Sequence, residues 1–147
     1  MMTISEYLVG KLTISEGRRR FPYKDTEGKL TIGVGFNLTD VGLYDEEIDF
    51  ILGNRIRRAQ EDARKIPIYS NLSPARRAVI VEMVFNMGLQ EVLGFKNMLS
   101  NLKLGKFIDA ANEMLNSKWA TQVGNRALQL AEVMKDGQVK NAPDLVE

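Results

Sequence analysis

The sequence contains neither cysteine nor histidine. Disulfide bonds are therefore impossible, and zinc sites built from Cys and His ligands are excluded. The same two absences rule out catalysis by Ser-His-Asp or Cys-His groups. Any acid–base chemistry near neutral pH must use Asp, Glu, Lys or Tyr side chains. We expect neither a metal nor a cofactor.

Strong net charge and long apolar runs are also missing. The 147 residues carry a net charge of +1, which gives no global signal for binding nucleic acid or an anionic membrane. No stretch approaches the ~18 apolar residues of a membrane span, and the first residues lack the pattern of a signal peptide. We therefore expect a globular protein that binds no nucleic acid and does not insert into a membrane.

The order of predicted elements indicates an α+β fold that is mostly helical. A capping-box pattern at Thr3 opens a first helix, and a turn and an alternating strand follow. We expect a single domain over residues 1–147, in which a long helix joins a small antiparallel β-sheet lobe to a helical C-terminal lobe. The predicted parts are the first helix at 3–14, the β lobe at 15–44, the bridging helix at 45–66 and the helical lobe at 67–138.

Several helices are predicted inside the helical lobe. Ser73-Pro74 marks the start of one that Gly88 ends. Others are expected at 95–103, 106–116 and 124–136, whereas residues 139–147 are expected to fray. Trp119, Phe85 and Phe95 are expected to lie in the core. Four methionines are expected to fill it, namely Met83, Met87, Met98 and Met114.

Residues 30–37 alternate between apolar side chains and small or polar ones. The apolar set is expected to face inward, which places Thr31 on the opposite, open face of the strand. Gly33 and Gly35 on that open face leave bare backbone that a ligand could approach closely.

Glu16 and Asp25 are the candidate catalytic pair. Cleaving a glycosidic bond requires an acid that protonates the leaving oxygen and a carboxylate that activates water or attacks directly. A chain reversal between the first helix and the following turn could face both groups into one cleft, where the Thr31 hydroxyl could orient a water. Two structural alternatives stand beside this hypothesis: a capping box from Thr13 to Glu16, and a plain turn role for Asp25.

Three successive segments resemble the catalytic stretch of the T-even phage lysozyme family. They are Ser15-Glu16-Gly17, Tyr23-Lys24-Asp25-Thr26-Glu27-Gly28 and Leu30-Thr31-Ile32-Gly33-Val34-Gly35. Further likeness at residues 83–88, 94–97, 117–119 and 125–127 extends the resemblance over most of the chain. Phe36 departs from the family pattern, which usually has histidine there, and Met98 and Glu113 stand where small or amide residues are usual.

The resemblance implies an inverting muramidase that hydrolyses the β-1,4 bond between N-acetylmuramic acid and N-acetylglucosamine in bacterial peptidoglycan. It implies Glu16 as the general acid, Asp25 as the group that activates water, and Thr31 as the residue that holds this water. It further implies a sugar cleft lined by Gly35, Asn37, Phe85, Asn86 and Met98, with Arg126 close to Glu16.

The biological role favoured by the resemblance is that of an endolysin. We expect a monomer that stays in the host cytoplasm until lysis and reaches the cell wall in the periplasm through a holin-type membrane pore. A virion-associated or secreted-effector lysozyme is the alternative within the same chemistry. Two alternatives belong to other functional classes. One is a helical nucleic-acid-binding module that uses the arginine runs, and the near-neutral net charge argues against it. The other is an inactive wall-binding protein, and the intact catalytic residues argue against it.

Overall fold

The computed structural model describes residues 1–147, which form two compact units. The first comprises Met1–Ile51 and the second Leu52–Glu147, so the boundary falls inside one long helix, α2 (Asp45–Ala63). Helices dominate, and the one sheet is small and antiparallel, which confirms the predicted α+β class. The predicted grouping of the first helix with the helical lobe stays a prediction.

The first unit begins with helix α1 (Ile4–Glu16). The Thr3 hydroxyl oxygen accepts a hydrogen bond from the Glu6 backbone N–H at 3.1 Å. The Glu6 carboxylate accepts in return from the Thr3 backbone N–H at 2.8 Å. This reciprocal pair is the predicted capping box, and it satisfies two amide groups at the start of the helix.

Three antiparallel strands follow, β1 (Arg19–Lys24), β2 (Leu30–Gly33) and β3 (Phe36–Asn37), with β2 in the middle. Strand β1 begins at Arg19, within the run Arg18-Arg19-Arg20, where the sequence pattern predicts no strand. This edge strand is exposed on both faces and shows no alternation of apolar and polar side chains, so no pattern marks its start.

The alternation along β2 has the opposite sense to the prediction. Thr31 is only 3 % exposed, whereas Leu30 is 42 % exposed. Thr31 pairs with Tyr23 of β1 on one side and with Asn37 of β3 on the other. Cross-strand partners lie close enough to cover a residue between them. The expectation that Thr31 stands on an open face is therefore wrong.

The second unit contains the rest of α2, a short 3₁₀ helix and six further helices. They are the 3₁₀ helix (Tyr69–Asn71), α3 (Pro74–Met87), α4 (Leu89–Leu93), α5 (Lys96–Lys103), α6 (Phe107–Leu115), α7 (Lys118–Val123) and α8 (Asn125–Asp136). The bounds of α5, α6 and α8 lie within one residue of those predicted. Helices α4 and α7 were not predicted, because five and six residues are too few to show a helical period.

The hydrophobic core lies in the second unit, which holds every buried apolar side chain of the chain. Helix α3 contributes Ile80 and Met83, both 0 % exposed. The core also includes Met98 and Met114, and Met87 packs against it, as predicted for the methionines. Trp119 is buried as expected, with its ring edge-on to Phe95 at 6.2 Å between centroids. No helix combines the length and apolar character that crossing a bilayer would require.

Candidate active site

Glu16 is the last residue of α1, and the chain turns directly after it. Gly17 has a φ of +78°, a conformation that favours glycine, and its N–H donates to the Thr13 carbonyl at 3.0 Å. The Thr13 hydroxyl donates to the Val9 carbonyl at 2.6 Å, so Thr13 lies inside the helix and caps nothing. The alternative interpretation of Glu16 as part of a second capping box is therefore wrong.

The Glu16 carboxylate lies against the backbone of Gly35, in the loop between β2 and β3. A Cβ atom at position 35 would stand 2.8 Å from Glu16 Oε2 and 3.0 Å from its Cδ, closer than real side chains approach. Gly35 also has a φ of +68°, which strains any residue with a side chain. The backbone conformation therefore favours glycine at position 35, and any side chain there would displace the Glu16 carboxylate, so the structure brings these two predicted site residues into contact.

Asp25 is held by the turn between β1 and β2. Its Oδ1 accepts hydrogen bonds from the backbone N–H groups of Glu27 and Lys29, each at 2.9 Å. The Asp25 N–H donates to the Lys29 carbonyl, also at 2.9 Å. These bonds fix the direction of the carboxylate and leave Oδ2 without a protein partner. The turn role of Asp25 is confirmed, and it leaves one oxygen available for chemistry.

Neither Glu16 nor Asp25 takes part in an ion pair of the structure. Both carboxyl groups are thus without a cationic partner among the side chains of the protein.

The Thr31 hydroxyl donates to the Lys29 carbonyl at 3.0 Å. Because a hydroxyl carries one proton, its remaining capacity is to accept hydrogen bonds. At 3 % exposure, Thr31 offers almost no surface on which a sugar ring could lie. The Lys29 backbone thereby links Asp25 to Thr31. No sequence signal marked Lys29, because it acts through main-chain atoms that every residue has.

Asn37 is engaged by its own turn. Its side-chain Oδ1 accepts from the Asp40 N–H at 2.9 Å, and its Nδ2 donates to Asp40 Oδ2 at 3.1 Å. Lys29 Nζ approaches Asp40 Oδ1 at 3.2 Å, which ties the two turns of the sheet together. Asp40 is a site neighbour that the sequence analysis did not single out. The contact of Asn37 with a sugar stays a prediction.

The predicted cleft residues of the second unit differ in their surroundings. Phe85 is 44 % exposed, and exposed Asn86 accepts a hydrogen bond from Trp119 Nε1 at 2.7 Å. Met98 of α5 is fully buried and its side chain contributes to the core of the second unit, so its contact with a sugar stays a prediction. Sugar contacts of Phe85 and Asn86 stay predictions.

Arg126 Nε donates to Glu82 Oε1 at 3.1 Å within the second unit. Its predicted approach to Glu16 stays a prediction. No group of three or more acidic side chains is placed as the ligands of a metal ion would be.

The profile of the family described as Phage lysozyme matches residues 13–135. A protein named Probable T4-type lysozyme 1, from Dictyostelium discoideum, is 30 % identical over 86 % of this chain and 92 % of its own length. Probable T4-type lysozyme 2, from the same organism, is 29 % identical over 88 % of this chain and 94 % of its own length. The matched region includes Glu16, Asp25 and Thr31.

Proposed function

Because the chain belongs to the phage lysozyme family and is therefore a glycoside hydrolase, we propose that it cleaves the β-1,4 bond between N-acetylmuramic acid and N-acetylglucosamine in bacterial peptidoglycan. The observation that carries the proposal is the contact of the Glu16 carboxylate with Gly35, beside the hairpin that fixes Asp25. Because Gly35 has no side chain, the Glu16 carboxylate can lie directly against the backbone of this loop.

The proposed reaction uses both carboxyl groups in one step. Glu16, protonated, donates its proton to the leaving glycosidic oxygen as the C1–O bond breaks. Asp25 accepts a proton through Oδ2 from a water whose oxygen attacks the anomeric carbon from the opposite face. The products are two sugar ends, with the configuration at C1 inverted and the proton of the water held on Asp25.

Thr31 is proposed to orient that water. Its hydroxyl proton is used by the Lys29 carbonyl, so its oxygen accepts one O–H of the water while Asp25 accepts the other. With both protons directed at these two acceptors, a lone pair of the water faces the sugar.

Glu16→Gln and Asp25→Asn test the chemistry with minimal change of shape. An asparagine at position 25 keeps an oxygen for the two amides that Oδ1 now binds, so the turn should survive. We expect each variant to lose at least ~10²-fold in the release of reducing ends from purified peptidoglycan. Glu27→Gln, which removes an exposed carboxylate from the same turn, is the matched control and should stay active.

Activity equal to wild type in Glu16→Gln or Asp25→Asn would contradict the proposal. Proton NMR of the first reducing sugar tests the stereochemistry separately. Inversion of a β bond releases the α anomer first, whereas early β anomer would contradict the inverting mechanism alone.

Thr31→Val and Thr31→Ser separate the hydroxyl from the shape of the residue. Valine keeps the buried volume but removes the acceptor, so we expect it to lower the rate markedly. Serine keeps the hydroxyl, so we expect it to retain most of the activity. Equal rates in the two variants would remove Thr31 from the mechanism.

For the biological role we propose an endolysin that waits in the host cytoplasm and acts as a monomer once a holin-type pore opens. The proposal is supported by the likeness of the catalytic stretch to phage enzymes. The hydrolase assignment does not depend on this role. It follows from the family, whose members reported above come from Dictyostelium discoideum and not from a phage.

Production of the chain in the cytoplasm of a Gram-negative bacterium tests this role, with and without a pore-forming membrane protein. We expect lysis to require the pore and to fail with Glu16→Gln. Lysis without any pore would instead favour the alternative of an exported lysozyme, whether virion-associated or a secreted effector.

A further inference from the structure

Two arginines and a tyrosine of the second unit hold a carboxylate that no step of the proposed reaction uses. Glu147 Oε2 accepts from Arg77 at 2.6 Å. Glu147 Oε1 accepts from the Tyr69 hydroxyl at 2.7 Å and from Arg64 at 3.4 Å. Two guanidinium groups and a phenol therefore converge on one carboxyl group.

The position of Arg77 is set without help from Glu147. Its Nε donates to the Tyr69 carbonyl at 3.1 Å, and a second nitrogen donates to the Ser70 carbonyl. The guanidinium also lies 5.4 Å from the centre of the Tyr69 ring, and Tyr69 itself is 4 % exposed. Arg77 and Tyr69 are thus held in place by the 3₁₀ helix, so these two groups form a preformed site for a carboxylate.

An apolar groove of about 440 Å³ adjoins this site. Its walls come from α2, α3 and the segment that carries Glu147. The apolar residues along it are Leu52, Ile56, Pro74, Ala78, Val81, Phe85, Leu145 and Val146.

The segment that ends in Glu147 is held through few contacts. Residues 143–147 form no helix or strand and make no backbone hydrogen bond. Leu145 is 38 % exposed and Val146 89 %, so Glu147 is the main anchor and Leu145 the lesser one. The expectation that this segment frays is thus wrong at Glu147.

We propose that Arg64, Tyr69 and Arg77 form a receptor site for a short acidic peptide, with residues 144–147 of this chain as its resident, exchangeable ligand. The ligand class is an extended peptide whose carboxylate follows an apolar residue by two positions. The carboxylate binds the arginines and the tyrosine, and the apolar side chain enters the groove. Departure of the resident segment opens the groove for the same peptide supplied from outside.

A synthetic peptide with the sequence of residues 141–147, amidated at its end and labelled with a fluorophore, is the probe. The receiving protein is the full chain with Leu145→Ser and Glu147→Gln, which weakens both anchors of the resident segment and leaves the walls formed by α2, α3 and the 3₁₀ helix unchanged. We expect this chain to bind the probe at least ~10-fold more tightly than wild type, in which the resident segment competes. Fluorescence anisotropy measures both affinities, and circular dichroism checks that the emptied chain is folded.

Two controls define the chemistry. A probe with Gln in place of its final Glu should lose most of its affinity, and so should an emptied chain that also carries Arg77→Met. Arg57→Met, on exposed α2 and paired with Glu61, should change nothing. Equal binding of the probe by wild type and emptied chain, or indifference to Arg77→Met, would overturn the proposal.

A second measurement needs only one conservative substitution. Backbone ¹⁵N relaxation should show residues 145–147 ordered in wild type and mobile in Glu147→Gln. Identical mobility in the two proteins would also overturn the proposal, because the carboxylate would then not be the anchor.

Discussion

The two units of the chain differ in the interactions that determine their structure. No apolar side chain of Met1–Ile51 is buried, whereas the second unit has a continuous core from Ala59 to Met134. The first unit takes its local geometry from a capping box, from turn hydrogen bonds and from glycines with positive φ. The proposed catalytic residues all lie in this first unit. Stability and activity should therefore respond to different substitutions.

The largest effect is expected at Gly35, where a substitution in the first unit should lower activity without lowering the stability of the second unit. Gly35→Ala adds a Cβ that would stand 2.8 Å from Glu16 Oε2, on a backbone with a φ of +68°. Either the loop or the carboxylate must move, and a displacement near 1 Å at a reacting group can lower the rate by ~10²-fold. Hydrolysis of purified peptidoglycan measures this loss, and urea unfolding should show little change in the second unit.

The matched control for that substitution is Gly10→Ala in α1, where an added Cβ meets nothing within 4 Å. Alanine favours a helix over glycine by about 1 kcal/mol, so the substitution should not destabilise α1. Because the added Cβ contacts nothing, this variant should stay fully active. Wild-type activity in Gly35→Ala would show that the contact with Glu16 does not matter for catalysis.

The opposite result is expected for the core. Leu130 and Leu128 lie on the same helix, α8, but are 7 % and 52 % exposed. Leu130→Ala should lower the free energy of unfolding by about 2–5 kcal/mol, since it removes buried methyl groups and leaves a cavity. Leu128→Ala should change it by less than about 1 kcal/mol.

Urea unfolding of the two leucine variants provides the measurement, with peptidoglycan hydrolysis at a temperature where both are folded. We expect near wild-type rates from each. A large loss of activity in folded Leu130→Ala would contradict the claim that the core of the second unit contributes to stability and not to activity.

Sequence patterns identified the second unit well because its helices are long and their ends are marked. Ser73 before Pro74 and Gly88 after Met87 bound α3 as predicted. A helical period needs about two turns to show, and α4 and α7 do not reach that length. What failed there was the detection of short helices rather than of the core.

In the first unit, the sequence indicated which residues matter but not how they are oriented. The motif at Glu16, Asp25 and Thr31 is read from residue types and spacing alone. The burial of Thr31 depends on strand pairing with Tyr23 and Asn37, which alternation cannot supply. The contact of Glu16 with Gly35 depends on a chain reversal between residues 17 and 33 that no local pattern determines.

A smaller effect on stability is expected from Arg76, which fastens the end of α8. Its Nε donates to the Met134 carbonyl at 2.7 Å, and a second nitrogen donates to the Lys135 carbonyl at 3.0 Å. Its guanidinium also lies 3.4 Å from the centre of the Phe107 ring, and burial lowers the pKa of Arg76. Arg76→Met should lower the free energy of unfolding by about 1–3 kcal/mol, because those carbonyls lose their partners.

Arg58→Met, at an exposed position of α2 without an ion pair, is the control for Arg76→Met and should be neutral in urea unfolding. An equal effect of the two substitutions would mean that the loss of a positive charge, rather than the capping of α8, explains the change.

The smallest effect is expected from pH acting on Glu147 and Tyr69. The hydrogen bond from Tyr69, with those from the arginines, holds the pKa of Glu147 below its usual 4.5. The fold thus favours the ionised form, so this stabilisation is complete above pH 4.5 and is lost as the pH falls through the lower folded pKa. Burial raises the pKa of Tyr69 from 10.0 to about 12, helped by its bond to Glu147. Its neutral form is favoured, so that contribution is present below pH 10.0 and lost as the pH rises through about 12.

Urea unfolding of wild type and Glu147→Gln is measured at a series of pH values from below 4.5 to about 12. The difference between the two proteins gives the contribution of the Glu147 carboxylate alone, because all other acidic groups are the same in both. The difference in free energy of unfolding should be roughly constant between pH 4.5 and 10.0 and should stay below about 1 kcal/mol, because the pair is partly exposed. It should shrink below pH 4.5, when the wild-type carboxylate takes up its proton. A difference that persists unchanged in acid would mean that glutamine acts by disturbing the segment itself, and that the charge of Glu147 contributes nothing to the second unit.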